Sequence, residues 1–395
     1  MKRESLEIKN FRVFKHAEVG GITNMAVFLG ENGSGKSTFF DVFGFLHDCL
    51  NVGVKRALMK RGGFNEVVTR ESEGPSEGPI EFVLKFRPSD DEPLITYELS
   101  VGLQGSVPVV KREVLRLRRG SKGAPWKVLE FSNGSGTAVQ GEINTYEDVK
   151  KADTRAKQKL TSPDMLAVDS LGQLQEFAAV SALRQLIDDW YVSDFRIDVA
   201  RERQEISDGT ALSRSGDNLS AVTLQLKEEH PDLFEAVLRK MRERIPGVEK
   251  VEAIQSEDGF ILLRFGSDRF VNPFSAKFVS DGTIKMFAYL MLLADPRPHA
   301  LLCVEEPENQ LYPELLRLLA EEFREYANRG GQVLISTHSP DFLNAIELGE
   351  LFCIVKREGY SKIVRATDMP LVSSLYKEGD KLGWLWNQGI LPEAN

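Results

Sequence analysis

The chain has 395 residues, of which 42% are hydrophobic and 28% are charged. This balance is typical of a globular chain with room for two or three domains, and it excludes a largely disordered one. The longest apolar stretches, such as 286–293, are far shorter than the roughly 20 residues that cross a bilayer, and the first residues lack the apolar core of an export signal. The formal net charge of −9 argues against general coating of nucleic acid but leaves room for a local basic groove. We therefore expect a cytoplasmic protein without a membrane segment.

The first fifty residues predict two strands, a third strand, a glycine-rich loop and a helix, in that order. Residues 6–11 alternate like a half-buried strand, and 13–19 can return as its antiparallel partner. A β-prone run at 24–29 ends abruptly at Gly30, and 36–50 has the apolar content of a helix packed on a sheet. A strand, a glycine loop and a helix form the order that a phosphate-binding site requires.

The rest of the chain divides by its periodicity. Residues 80–146 contain four runs of alternating apolar and polar residues, which predict an antiparallel β-meander. From 147 the chain is polar and rich in lysine and then takes helical spacing, so 147–250 is predicted to be a mostly helical insert. From 251 to the end, continuous apolar strands alternate with helices, which is typical of a parallel sheet covered on both faces.

The glycine loop fits the pattern G-x-x-x-x-G-K-[ST]. Its residues are Gly30, Glu31, Asn32, Gly33, Ser34, Gly35, Lys36, Ser37 and Thr38. The glycines allow successive N–H groups to turn inward around phosphate oxygens, and the following helix directs its positive end at the same point. Lys36 adds a charge for the β- and γ-phosphates, and Ser37 offers a hydroxyl to magnesium. The alternative, a glycine turn that happens to precede a lysine, is disfavoured because the loop lies between a strand and a helix.

Two adjacent carboxylates, Glu305 and Glu306, end the apolar run 301–304. Successive residues of a strand point to opposite sides, so the two can take different roles. We expect Glu305 to hold magnesium, through water, and Glu306 to orient and deprotonate the attacking water. The alternative is a pair of surface acids after a strand.

Two further segments favour a phosphate site only in combination with the loop. His338 follows the next buried run, 333–335, where it could sense a γ-phosphate, although a lone histidine is more often structural. Ser280, Asp281 and Gly282 begin a predicted helix, whose N-terminus could bind an anion. The alternative is that Ser280 or Asp281 only caps its own helix.

Four segments, GENGSGKST, FVSDGTIKM, LLCVEEPENQL and LISTHSPDFL, occur in this order and resemble the ABC-type ATPases of the RecF/OLD/SMC branch. The chain is most similar to the stand-alone AAA-type predicted ATPases of bacteria. The resemblance implies an α/β fold: an ABC-type P-loop NTPase with a mixed core sheet, an antiparallel β subdomain and a mostly helical insert. It implies Walker A at 30–38, Walker B ending at Glu305 and Glu306, the signature at 280–283, the D-loop at 308–311, the switch histidine at His338 and a nucleotide-side arginine at Arg12.

This sequence departs from the wider pattern at two positions. Glu305 replaces the usual Walker B aspartate, and Asp281 stands where transporters have a glycine. For Arg12 a second interpretation stays open, in which it is only an exposed arginine of the hairpin. On this reading, residues 1–146 form an N-terminal ATPase lobe with Walker A, 147–250 the insert, and 251–395 a C-terminal ATPase lobe.

The resemblance also implies a function. ATP and Mg²⁺ would be the cofactors, and the signature of one copy would cap the γ-phosphate bound by another, which predicts an ATP-dependent homodimer. We expect an ATPase that controls a DNA-associated or nuclease partner in trans, in phage defence or DNA repair. Two alternatives stay open: the nucleotide-binding subunit of an ABC transporter, and a nucleotide-dependent switch with negligible turnover.

Two basic clusters are candidates for contact with DNA. The first surrounds Trp126 and comprises Lys111, Arg112, Arg116, Arg118, Arg119, Lys122 and Lys127, and the second comprises Lys55, Arg56, Lys60 and Arg61. Alternating basic residues on a meander can follow a phosphate backbone while Trp126 stacks on a base. The alternative is a solvated strand face whose charges are balanced by nearby acids.

Overall fold

The computed structural model describes residues 2–72, 74–87, 94–118, 125–140, 155–205, 211–267 and 272–392. The chain forms two compact units, which are described separately. The Walker A unit comprises Met1–Trp190, Glu347–Asp380 and Leu385–Asn395, and the signature unit comprises Tyr191–Ile346 and Lys381–Trp384. The division at 146 and 250 stays a prediction.

The strands of both units are short to medium in length. In chain order they are β1 Lys2–Phe11, β2 Phe14–Gly20, β3 Met25–Leu29, β4 Arg70–Glu71, β5 Gly74–Pro75, β6 Ile80–Arg87, β7 Leu94–Gln104, β8 Val107–Arg118, β9 Trp126–Ser132, β10 Ser135–Val139, β11 Arg155–Lys159, β12 Trp190–Ser193, β13 Gln204–Glu205, β14 Lys250–Gln255, β15 Phe260–Gly266, β16 Phe274–Ser275, β17 Leu301–Glu305, β18 Val333–Thr337, β19 Leu351–Arg357 and β20 Tyr360–Arg365.

The structure contains the helix predicted at 36–50 and the one predicted to begin at the signature, together with helices that were not predicted. The helices are α1 Lys36–Val52, α2 Val54–Met59, α3 Phe64–Val67, α4 Ala167–Gly172, α5 Ala178–Asp188, α6 Ile197–Ala200, α7 Leu219–Glu229, α8 Pro231–Arg244, α9 Asp281–Leu293, α10 Pro313–Asn328, α11 Pro340–Leu343, α12 Pro370–Glu378 and α13 Leu382–Asn387, with 3₁₀ turns at Gln175–Phe177, Ala276–Phe278, Leu348–Glu350 and Ala366–Asp368. No helix in the described ranges is long and apolar enough to cross a membrane.

A large antiparallel sheet in the Walker A unit confirms the predicted meander and the predicted hairpin at the N-terminus. Its strand order is β11-β10-β9-β8-β7-β6-β1-β2. One face of β6 is buried, at Ile80, Phe82, Leu84 and Phe86, because strand side chains alternate. The strand β11 was not predicted, since 147–160 was expected to be the polar start of the helical insert. It pairs antiparallel with β10, and its lysine- and arginine-rich sequence suits an edge strand but carries no apolar period to detect.

The second sheet of the Walker A unit is mixed and carries the phosphate loop. Strand β19 runs parallel to β3, with Cys353 opposite Leu29, and antiparallel to β20. Aromatic side chains fill the space around it: the ring centres of Phe28 and Phe39 lie 4.3 Å apart, and those of Phe28 and Phe352 lie 5.3 Å apart. Such pairs add about 0.5–1.5 kcal/mol each beyond the burial of their area, so the strand and the helix on either side of the loop are firmly held.

In the signature unit, β17 and β18 run parallel, so that their carboxyl ends lie side by side. Leu302 pairs with Val333, and Glu305 pairs with Ser336. Helix α9 is buried from Thr283 to Leu293, which is typical of a helix in the interior of a large domain. Three further strands form the small antiparallel sheet β13-β15-β14, with β16 also paired to β15.

Candidate functional site

The phosphate loop is held open by backbone geometry. Gly35 has φ 109°, a left-handed conformation that favours glycine, and a Cβ there would lie 2.8 Å from Cγ2 of Val13. No side chain caps the N-terminus of α1, which begins at Lys36. The first N–H groups of that helix therefore face the loop, as an anion site requires.

Lys36 lies inside this loop. Its side chain is buried, and Nζ donates to the carbonyl oxygens of Gly30 at 2.7 Å and Glu31 at 3.2 Å. The hydroxyl Oγ of Ser34 is buried and makes no hydrogen bond among the described residues. A buried ammonium and an unsatisfied hydroxyl around an uncapped helix end fit a triphosphate.

Arg12 lies beside the Walker A helix. Its guanidinium is about one-third exposed and lies 3.1 Å from a carboxylate oxygen of Asp41 on α1. Its main-chain N–H donates to Val67 at 2.7 Å. Arg12 is thus an anchored residue of the β1–β2 turn and not a free surface arginine, which is compatible with the expected position near a nucleotide.

The two acidic residues at the end of β17 differ in their backbone. Glu305 is still in the strand, whereas Glu306 has φ 44°, a left-handed conformation that non-glycine residues rarely adopt. The main-chain N–H of Glu306 donates to the carbonyl oxygen of Ser336 at 2.9 Å. The unusual φ turns the main chain at Glu306 out of the strand, so the alternation of strand side chains does not decide how the two carboxylates point, and their separate roles stay a prediction.

Two neighbours hold the carboxylate of Glu306. Asn309 donates through Nδ2 to Oε2 at 3.1 Å, and Nδ1 of His338 lies 3.4 Å from Oε1. The imidazole of His338 is 44% exposed. The structure therefore brings together Glu306 and His338, which the sequence placed 32 positions apart in different elements.

Glu308 has an organising role that sequence reasoning did not assign to it. Its Oε1 accepts hydrogen bonds from Thr337 Oγ1 at 2.8 Å and from the main chain of His338 at 2.9 Å. These bonds fix the end of β18 to the segment 306–311. The only signal in the sequence is the pair Thr337-His338 after a buried strand, and it does not say which acid the pair meets.

The signature residues form the first turn of α9. Ser280 caps this helix, since its Oγ accepts from the main chain of Thr283 at 3.3 Å. Asp281 forms an ion pair with Arg201 and accepts from Gln310 Nε2 at 3.5 Å. The capping role held open for Ser280 is thus present, and a role toward a phosphate stays a prediction.

Gly282 allows the signature to approach the D-loop closely. A Cβ at this position would lie 2.7 Å from the main-chain oxygen of Gln310, a distance that real Cβ atoms do not show. A second residue of α9 that the sequence did not single out, Lys285, also meets this segment. Burial lowers the pKa of Lys285 to about 8, against the opposing effect of Glu308 and Glu306.

The oxygen donors assigned to a metal fit magnesium in type. Ser37 offers a hydroxyl and Glu305 a carboxylate, and Mg²⁺ prefers such hard ligands while keeping several waters. Within the described parts of the chain, no cluster of three or more His, Cys, Asp and Glu side chains could hold a metal ion by itself. Magnesium that is bound together with substrate phosphates needs only one or two protein ligands.

The basic clusters are largely neutralised where the structure describes them. Arg116 lies 2.9 Å and Arg112 3.2 Å from Glu98, and Lys127 lies 2.5 Å from Glu130. In the second cluster, Lys60 pairs with Asp48 at 2.7 Å, and the guanidinium of Arg61 is buried between Asp41 and Asp48. Lys55 and Arg56 are exposed. Arg119 and Lys122 lie outside the described residues.

The phosphate loop, the mixed and antiparallel sheets and the acidic end of β17 give this chain the fold of an ABC-type P-loop ATPase. Its sequence matches, over residues 25–344, the profile of a family described as "AAA domain, putative AbiEii toxin, Type IV TA system". The chain belongs to this family. No curated protein sequence matches it.

Solved structures with a similar fold are heads of SMC proteins. An SMC head bound to the C-winged helix domain of ScpA is 16% identical, with 92% of this chain and 97% of that chain covered and a TM-score of 0.52. The SMC head domain from Thermotoga maritima is 14% identical, with 92% and 99% covered and a TM-score of 0.46. An SMC head with an extended coiled coil, bound to the C-terminal domain of ScpA and derived from Pyrococcus furiosus, is 16% identical, with 95% and 100% covered and a TM-score of 0.49. At such low identity the likeness concerns the fold alone.

Proposed function

We propose that this chain hydrolyses ATP to ADP and phosphate in a magnesium-dependent reaction. The observation that carries the proposal is the carboxylate of Glu306, which leaves its strand with a left-handed φ of 44° and is held between Asn309 and His338. A strained residue persists only where its surroundings hold it, and such residues concentrate at functional sites. The family and the intact phosphate loop supply the substrate class.

In this reaction the protein contributes position and charge. Lys36 and the N–H groups of the loop bind the phosphates, and Ser37 and Glu305 would hold Mg²⁺, which supplies positive charge to the phosphate oxygens. Glu306 accepts a proton from the water that attacks the γ-phosphorus, as the bond to the ADP oxygen breaks. His338 donates toward Glu306 or toward the released phosphate.

We further propose that two copies assemble each complete site, with Ser280 of one copy facing the nucleotide bound by the other. Two large side chains near the signature support this assembly. Phe278, two residues before Ser280, is 78% exposed, and Tyr312, just after the D-loop, is 67% exposed. Exposed aromatic residues that flank a polar site are typical of the core of a protein interface.

The biological output is proposed to pass through a partner protein. An SMC head of similar fold binds a domain of ScpA, and this chain is proposed to act in the same manner on a DNA-associated or nuclease protein, in phage defence or DNA repair. Capture of a nuclease from the source cells in the presence of ATP would support this output. Stable purification with a membrane subunit would instead favour the transporter alternative. The cytoplasmic location stays a prediction.

The hydrolysis is tested by phosphate release from wild type and from Glu306→Gln. We expect the substitution to lower turnover by about 100-fold or more, because the base is lost, and to leave nucleotide binding intact. Glu314→Gln is the matched control, since Glu314 is an exposed glutamate in the first turn of α10. Equal and slow release by wild type and Glu306→Gln would contradict the proposal and favour the switch with negligible turnover.

The composite site is tested by mixing two inactive variants, Ser280→Arg and Glu306→Gln. Each homodimer is inactive, but a mixed dimer has one site with an intact Glu306 and an intact partner Ser280. Random pairing predicts recovery of about a quarter of the wild-type rate. Turnover that stays absent in the mixture, or wild-type turnover that is constant per chain at dilutions where the protein is monomeric, would overturn the shared site.

A further inference from the structure

A buried lysine connects the signature helix to the segment that carries Glu306. Lys285 lies on α9, one turn beyond Gly282, and its side chain is only 6% exposed. Its Nζ donates to the main-chain oxygen of Asn309 at 2.7 Å. A buried ammonium is costly unless it is paired, whereas a leucine or methionine would fill the same place in the core without that cost. The lysine therefore needs a reason other than packing.

The bond from Lys285 ends on the residue that orients Glu306. The side chain of Asn309 donates to Glu306 Oε2 at 3.1 Å, and its main-chain N–H donates to the Glu306 carbonyl at 3.1 Å. Lys285 thus fixes the main chain of Asn309 while Asn309 fixes the carboxylate. Because Glu306 has a strained φ, its orientation depends on such external restraints.

A second contact ties the same two elements together at the signature end. Gly282 abuts the main-chain oxygen of Gln310, and Asp281 accepts from the side chain of Gln310. Gln310 itself has a positive φ of 67°. Helix α9 therefore contacts the segment 306–310 at two places, through Gly282 in its first turn and through Lys285 one turn later.

We propose that Lys285 is a positioning residue that holds the segment 306–310, and with it the Glu306 carboxylate of the same chain, in place against the signature helix. The inference rests on the proposed shared site. There, Ser280 of a chain serves the nucleotide of its partner, whereas Glu306 serves the nucleotide of its own chain. Lys285 consequently acts on the nucleotide of its own chain, where it aligns the base, and not on the nucleotide that its signature contacts.

The first test compares Lys285→Met with Lys285→Arg. Methionine keeps the apolar volume but removes the donor and the charge, whereas arginine keeps both. We expect Lys285→Met to lower kcat about tenfold or more while KM changes less than about twofold, since a displaced base affects the chemical step and not binding. Lys285→Arg should recover most of kcat. Met286→Leu, at the next buried position of α9, is the control for packing.

The outcomes of this comparison are distinct. Equal kcat values for wild type and Lys285→Met would overturn the role. A loss that Lys285→Arg does not relieve, and that Met286→Leu reproduces, would show that Lys285 only stabilises the helix, and this too would overturn it. Should Lys285→Met fail to fold, Lys285→Gln provides a second test, because its amide side chain is one bond shorter and moves the donor away from the main-chain oxygen of Asn309. It should also lower kcat with little change in KM, and an unchanged kcat would overturn the role.

The second test asks on which chain Lys285 acts, with the Ser280→Arg and Glu306→Gln mixture. Lys285→Met is added either to the Ser280→Arg chain, which supplies the working Glu306, or to the Glu306→Gln chain, which supplies the working signature. We expect a loss of about tenfold only in the first arrangement. A loss that follows the signature chain would overturn the inference. Failure of the original mixture to recover activity would instead overturn the shared site, while the kcat comparison still decides the role of Lys285.

Discussion

The two units hold their candidate functional groups in different ways. In the Walker A unit, the phosphate loop is shaped by main-chain geometry, with a left-handed Gly35 and the uncapped start of α1. In the signature unit, Glu306 is oriented by side chains that come from other elements, such as Asn309 and His338. A site made by the backbone depends on a few adjacent residues, whereas a site made by side chains depends on contacts across the fold. The two should therefore respond differently to substitution.

The largest effect on turnover is expected from the loss of Lys36, the buried charge of the phosphate loop. Lys36→Ala should lower turnover about 1,000-fold, since the charge that stabilises the transferred phosphate is lost, and should weaken nucleotide binding as well. Phosphate release and titration with a fluorescent nucleotide measure the two effects. Lys55→Ala, at an exposed lysine of the same unit, is the control. Unchanged binding by Lys36→Ala would show that the loop does not hold the phosphates.

The Walker A unit also contains a cluster of interacting side chains, which surrounds the buried carboxylate of Glu113. Glu113 accepts hydrogen bonds from the main chain of Ala167 at 2.6 Å and Val168 at 3.1 Å, and from Tyr97 Oη at 3.0 Å. Burial raises the pKa of Glu113 from 4.5 to about 7, although these hydrogen bonds oppose the shift. The cluster lies between β8 and the start of α4.

This raised pKa predicts a dependence of stability on pH. The folded state keeps the proton of Glu113 at pH values where the unfolded state has lost it, so the free energy of unfolding should fall as the pH rises from 4.5 toward about 7. The span corresponds to about 3 kcal/mol. Urea unfolding across this range should show a steeper fall in wild type than in Glu113→Gln, and equal slopes in the two proteins would contradict the prediction.

A smaller effect is expected from Gly282→Ala, which breaks a close approach in the side-chain site. The added Cβ would lie 2.7 Å from Gln310 O, so the signature has to move away from the D-loop. We expect turnover to fall about tenfold while nucleotide binding stays unchanged, since a displacement of about 1 Å misplaces the catalytic group. Gly349→Ala is the control, because a Cβ there meets nothing within 4 Å. A loss of nucleotide binding instead of turnover would contradict the separation of roles.

The smallest effect is expected on the basic surfaces. If the chain binds DNA, neutralising Arg112 and Arg116 should hardly change the salt dependence, since Glu98 already balances them. Reversing the charges of the exposed Lys55 and Arg56 should reduce the salt dependence of DNA binding by an amount that corresponds to about two released counterions. DNA-binding assays at several salt concentrations distinguish the two surfaces. A large change in salt dependence on substitution of Arg116 would favour the meander as the DNA-binding face.

Most of the fold could be predicted because its periodicities are local. The hairpin of β1 and β2, the strand before Gly30 and the helix that starts at Lys36 all appear where the alternation and the loop pattern place them. The strand β11 could not be predicted, because its residues are polar and only pairing with β10 makes them a strand. Its sequence contains no apolar period, so the information lies in the neighbouring strand.

The candidate site was predictable to the same extent. Lys36, Glu306 and His338 were identified from their positions after strands, and the structure confirms that the last two lie together. Lys285 was missed, because a lysine in an apolar helix gives no indication of what it meets. The pairing of Arg201 with Asp281 was missed as well, since the two residues are 80 positions apart.

The sequence by itself determined the class of this protein, because the loop that contains Lys36 needs nothing but its own glycines and the helix that follows. The arrangement around Glu306 was decided only by the tertiary structure. A carboxylate acquires its orientation from whichever donors surround it, and here those donors, Asn309 and His338, are brought to it by a turn and by a parallel strand. Local backbone preferences depend on adjacent residues, whereas long-range side-chain contacts form only when the chain has folded and packed.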